Sequence, residues 1–137
     1  MNRKILIICL IAAVITSMGV VTAYVNDGVE LHIPDGYSYS TSYGVTCDIS
    51  IDSGVMDVYT KGSDEITLAV IPVGSSTDQD LYDSLPAGFT KKTIGDKTGY
   101  FKHFTDGDYG FNFLEDGKKV SITAPDLDTL EYIVTGK

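Results

Sequence analysis

The stretch whose reading decides the fold is residues 99–123, GYFKHFTDGDYGFNFLEDGKKVSIT, which reads as three antiparallel strands joined by two tight turns. Asp116-Gly117 is a type I′ hairpin signal, because both central residues need φ > 0 and Asp and Gly tolerate it. A two-residue turn there sets Glu115 opposite Lys118, Phe113 opposite Val120 and Phe111 opposite Ile122. One charge pair closes the loop end and two apolar pairs share a face, which is how a sheet selects one register. Read the same way, Asp106-Gly107 sets Phe104 opposite Tyr109 and Tyr100 opposite Phe113. Tyr100, Phe104, Tyr109, Phe111, Phe113, Val120 and Ile122 are then expected on one core surface.

The neighbouring segments extend this meander. Gly95-Asp96 offers a two-residue turn that lays Phe89–Ile94 beside Thr98–Thr105. Before it, Thr77-Asp78-Gln79-Asp80 has the form of a capping box, Leu81 and Leu85 lie one helical turn apart, and Pro86 ends the helix. After it, Pro125-Asp126 opens a last helix with Leu127, Leu130 and Val134 at helical spacing.

The N-terminal half predicts a second meander. Val29–Ile33 alternates apolar and polar residues and stops at Pro34-Asp35-Gly36. Tyr37–Tyr43, rich in hydroxyls and free of aliphatic residues, reads as a loop or an edge. Val45–Ile51 is the cleanest alternation, with Val45, Cys47, Ile49 and Ile51 expected inward. Val55–Thr60 and Glu65–Val73 follow as strands. The fold class is therefore α+β: an antiparallel sheet of two meanders, one short helix between them and one C-terminal helix.

The chain has 137 residues and a net charge of −9, enough for one domain with its own core. Arg3 and Lys4 precede Ile5–Ala23, which carries no charge. Residues 1–23 thus read as a signal-anchor or signal peptide, and residues 24–137 as a single extracytoplasmic domain. Val21-Thr22-Ala23 has residues small enough for a signal-peptidase site, whereas the length of the run and a flanking Tyr24 suited to the membrane interface favour an anchor. The expected location is the cell membrane, with one pass and the C-terminal domain outside, or secretion if the segment is removed.

Without Arg3 and Lys4, the ten basic residues leave eight lysines against nineteen acids. Phosphate and nucleic-acid recognition leans on arginine forks and basic patches, so nucleic acid is excluded as a partner. The membrane is expected to meet the chain only through its N-terminal segment. Cys47 would be alone in the domain, which leaves no intrachain disulfide to form there.

Leu31-His32-Ile33-Pro34-Asp35-Gly36-Tyr37, the helix before Gly88-Phe89 and the Gly99-Tyr100-Phe101 strand resemble small anchored or secreted archaeal proteins of unknown function. More remotely, the strand–Pro–Gly–aromatic opening is similar to the PsbP-like α/β sandwich, which usually places Trp where Tyr37 stands. The resemblance spans most of Val29–Val134. It implies a fold and an accessory or binding role, with no catalytic residues to carry over.

Few residues carry a chemical signal. Cys47, between Val45 and Ile49, is expected on an apolar face as a small hydrophobe. His32 points away from its strand's apolar set, and His103 is expected opposite the aromatic surface. Together with Cys47 they have no metal-ligand spacing. Asp106-Gly107-Asp108 begins like a calcium loop but has Phe111 at the obligatory glycine and Gly117 where the bidentate glutamate belongs. An enzyme reading, metal-dependent or hydrolytic, would use His103 with Asp106 or Asp108. No cofactor motif is present. Tyr37, Tyr39 and Tyr43, spaced by serine and threonine, are the best functional residues: rigid amphipathic rings give contact area at small entropy cost. In an extended segment all three would project to one side, towards a protein or glycan partner. The sequence thus favours a non-enzymatic binding or interaction domain.

Overall fold

Tyr109–Glu115 (β8) and Lys118–Ala124 (β9) meet in the register that Asp116-Gly117 dictates, with Phe111, Phe113 and Glu115 opposite Ile122, Val120 and Lys118. Asp116 takes φ 50° and Gly117 φ 78°, the two positive values of a type I′ turn. The computed structural model describes residues 22–137. Its remaining elements are β1 (Thr22–Asn26), β2 (Val29–Ile33), β3 (Ser38–Val45), β4 (Gly54–Lys61), β5 (Asp64–Pro72), α1 (Asp78–Ser84), β6 (Thr90–Ile94), β7 (Lys97–His103) and α2 (Leu127–Thr135).

Seven strands form one antiparallel sheet in the order β3-β4-β5-β9-β8-β7-β6. The two expected meanders are therefore halves of a single sheet, joined where β5 pairs with β9 and sets Leu68 opposite Ile122 and Val70 opposite Val120. On one face, Ile66, Leu68, Val70, Phe111, Phe113, Val120 and Ile122 form the main core. Helix α2 covers it with Leu130, Ile133 and Val134, its first turn capped by the Asp126 side chain accepting from Thr129 N. A separate hairpin of β1 and β2 completes the cover with Tyr24, Val29, Leu31 and Ile33. On the opposite face, α1 brings Leu81 against Phe89 and Tyr100. Its capping box closes as the sequence predicts, Asp80 N donating to Thr77 Oγ1 and Thr77 N to Asp80 Oδ2.

Three expectations are corrected. The Asp106-Gly107 hairpin is slipped by one residue: Tyr100 faces Asn112, Phe101 faces Phe111 and His103 faces Tyr109. Phe104 N donates to Asp108 O and Gly107 N to Phe104 O, so three residues form the loop, and of these only Gly107 takes a positive φ, 101°. A one-residue slip exchanges the faces of a strand. Phe101 thus packs on the main core with Tyr109, while Tyr100 and Phe104 belong to the α1 side.

The clean alternation at Val45–Ile51 is not a strand beyond Val45. Ser50 binds back locally, its hydroxyl donating to Cys47 O at 2.8 Å and accepting from Cys47 N at 3.2 Å, which turns the chain instead of extending it. Its place is taken by the hydroxyl-rich segment, as edge strand β3. Finally, the apolar run Ile5–Ala23 lies outside the described residues except for Thr22 and Ala23, which begin β1. Tyr24, expected at a membrane interface, is instead 6% exposed in the main core. The hairpin that holds it turns at Asp27-Gly28, with φ 54° and 86°.

Candidate functional site

The structure separates the residues that the sequence groups. Tyr37, Tyr39 and Tyr43 all lie at or before β3, the free edge of the sheet, but they do not share a face. The β3–β4 register shifts between Tyr39 and Thr41, so Tyr39 stands opposite Tyr59 and Tyr43 opposite Met56. One extra residue in a strand reverses the parity of everything after it. Tyr39 consequently points to the α2 side, its ring 5.8 Å from that of Tyr59, and its hydroxyl donates to Ser42 Oγ. Tyr43 points to the α1 side. The two are 58% and 51% exposed. Tyr37 is half-buried against the main core, with Lys61 Nζ 5.4 Å above its ring, and burial raises its phenol above the usual range.

What unites these tyrosines is the strand between them. Every residue of Ser38–Gly44 is exposed, and none carries a charge. Five residues, Thr41–Val45, run in unbroken register with β4 and, among the described residues, have no neighbouring strand on their outer side. The opposite edge is built differently. There β6 carries Lys91 and Lys92, with Lys91 ion-paired to Asp78 and Lys92 lying over the Phe101 ring. Lysines on an edge prevent another strand from adding to it. One edge is guarded and the other is open.

The other candidates disperse. Cys47 sits in the β3–β4 loop, half-exposed, and not on an apolar strand face as expected. His103 is exposed and stacks on Tyr109 at 4.0 Å, on the same face as the main aromatic core; the one-residue slip put it there. Asp106 Oδ1 accepts from Asp108 N within the turn. Burial, with Asp106 and Asp64 nearby, raises the Asp108 carboxyl above its ordinary range. Among the described residues, no three His, Cys, Asp or Glu side chains gather closely enough to hold a metal ion.

Sequence reasoning missed one concavity. A groove of about 730 Å³ runs between the β1–β2 hairpin, the Gly95-Asp96 turn and the end of α2. Glu30, His32, Asp96 and Lys137 line it beside the ion pair of Lys97 and Glu115, in which the carboxylate raises the lysine above its usual range. These groups come from four distant segments, so no local spacing could announce them. His32 lies edge-on to Tyr132 and beside Gly136 at the end of α2, a packing role.

No protein-family model, curated protein or solved structure matches this chain, so what it does is read from its own geometry.

Proposed function

We propose that this chain is an extracytoplasmic, non-enzymatic binding module whose N-terminal segment Ile5–Ala23 carries it out of the cytoplasm, and that it engages a protein or glycan partner at β3. The observation that carries this reading is the contrast between the two edges of the sheet. A soluble domain blunts a free strand with charge or proline, as β6 does with Lys91 and Lys92. Over Ser38–Val45 there is neither, and Tyr39 and Tyr43 flank the open backbone with exposed rings. Aromatic rings and hydroxyls around free backbone groups are the composition of contact surfaces.

A photo-crosslinking amino acid at position 43, compared with one at Thr93 on the guarded edge, tests the reading in cells that make the protein. A discrete adduct from position 43, absent from position 93 and abolished by Tyr39→Ala, is the expected result. Equal labelling at both edges, or none at position 43, overturns it.

A further inference from the structure

The open edge also indicates what kind of partner fits it. Charge is unevenly distributed over the sheet. Between Thr22 and Thr60 there is no lysine or arginine, whereas Asp35 precedes β3 and Asp48 and Asp52 follow it, all three exposed. No described lysine forms an ion pair with any of them. The first cation met is Lys61, at the end of β4 that lies beside the start of β3, its side chain against Gly36 and over the Tyr37 ring. The β6–β7 edge is the reverse, with Lys91, Lys92, Lys97 and Lys102. An added strand at β3 therefore enters a field that is negative at the Val45 end, where Asp48 and Asp52 follow it, on a protein of net charge −9.

Resting on the binding reading above, we propose that β3 accepts an extended, lysine- or arginine-bearing segment of a partner protein by strand addition along Thr41–Val45. Backbone N–H and C=O groups of the incoming segment pair with those that β4 leaves free, and this supplies affinity without demanding a particular sequence. Alternate side chains of the segment lie beside Tyr43 on one face and beside Ser42 on the other, because β3 alternates there after its bulge. Its cations meet the field of Asp48 with Asp52 at the Val45 end. A second copy of this chain at the same edge is the alternative that the dimer measurement below tests.

The test uses a capped nonapeptide of alternating lysine and valine, its glutamate–valine counterpart, and a lysine–valine peptide N-methylated on alternate backbone nitrogens. The lysine–valine peptide is expected to slow hydrogen exchange of β3 amides and leave β6 amides unchanged, and to bind more weakly as salt is added. The glutamate–valine and N-methylated peptides are expected to bind about tenfold more weakly or less. Transplanting the guard of the other edge, as Ser42→Lys with Tyr43→Lys, removes the protection, while unchanged exchange in β8 and β9 shows that this variant folds. Equal binding of the glutamate–valine peptide overturns the cationic preference. Binding that survives N-methylation, or protection elsewhere than β3, overturns strand addition. Concentration-dependent dimers that the double-lysine variant abolishes would give the edge to a second copy and overturn the proposal. If the crosslink from position 43 forms but the peptide leaves β3 unprotected, the binding module stands and strand addition by a cationic segment falls. Loss of both removes both.

Discussion

The Tyr24 hydroxyl donates to Asp57 Oδ2 at 2.6 Å, and this bond ties the β1–β2 hairpin to the outer half of the sheet. The same hydroxyl accepts from Asn26 Nδ2, and the Tyr24 ring meets Tyr59 edge-on at 6.4 Å. Burial first, then the hydrogen bond to Asp57, lifts the Tyr24 phenol far above its ordinary range, and burial also raises Tyr59. A group whose folded pKa exceeds its unfolded one contributes stability below the unfolded value, about 10 for tyrosine, and loses it as pH rises beyond. Unfolding free energy is therefore expected to be level through neutral pH and to fall above about pH 10. Tyr24→Phe should cost about 1–2 kcal/mol at neutral pH and flatten that alkaline fall. Urea melts across the pH range check both, and an unchanged alkaline limb in the variant would contradict the assignment.

Phe113 is fully buried opposite Val120 at the centre of the main core. Phe113→Ala is expected to cost about 3–5 kcal/mol, a large part of a small domain's stability. A chemical denaturation midpoint close to that of the parent would show that the pairing is wrong.

Gly99 is buried in β7, where a Cβ would run into the Asn112 carbonyl oxygen and lie 2.8 Å from Phe113 Cβ. Both belong to the neighbouring strand β8 and cannot give way without shifting it. Gly99→Ala should therefore lower thermal stability strongly. Gly107→Ala, in open space but at φ 101°, should cost only the strain of that backbone, about 1–2 kcal/mol.

His103 and Asp106 are expected to be structural in small measure. Asp106→Ala removes one acceptor from an exposed turn and should cost about 1 kcal/mol or less, and His103→Ala a similar amount through its stacking on Tyr109. A hydrolytic activity of the parent protein that His103→Ala abolishes would replace the binding reading with an enzymatic one.

The start of β1 sharpens the question of the N-terminus. With Thr22 and Ala23 paired to Ile33 and His32, the uncharged run ahead of β1 is Ile5–Val21. At ~1.5 Å per residue that run gives about 25 Å as a helix, short of a ~30 Å hydrocarbon core. An anchored domain would then rest directly against the bilayer, with Lys4 snorkelling to cover the deficit. Intact mass of the protein from its native membranes is expected to retain Met1–Ala23. A chain beginning at Tyr24 in the soluble fraction would mean a secreted domain that has lost two β1 positions.

Turn and cap chemistry made much of this fold legible. Asp116-Gly117 set β8 against β9, Gly95-Asp96 set β6 against β7, and Thr77 with Asp80 capped α1. Each depends on backbone angles and side-chain bonds within four residues, which the residues themselves determine. Asp27-Gly28 carries the same signal as Asp116-Gly117; β1 lies at the end of an apolar run whose composition reads as a membrane-targeting segment, and that reading concealed the strand.

Asp106-Gly107 shows where local reading stops. The same dipeptide made a three-residue loop, because Tyr100 and Phe101 are both aromatic and either could have faced the core. Packing chose Phe101 for the side of Phe111 and Tyr100 for the side of Leu81, and the slip carried His103 with it. The candidate site divides in the same way. Its hydroxyl and tyrosine composition, and its absence of charge, were already present in residues 37–45. That this segment is the open edge, and that a bulge turns Tyr39 and Tyr43 to opposite faces, depends on β5 pairing with β9 and on the β3–β4 register. Those pairings join residues tens of positions apart, where side-chain packing and sheet order decide and no nearby residue carries the information.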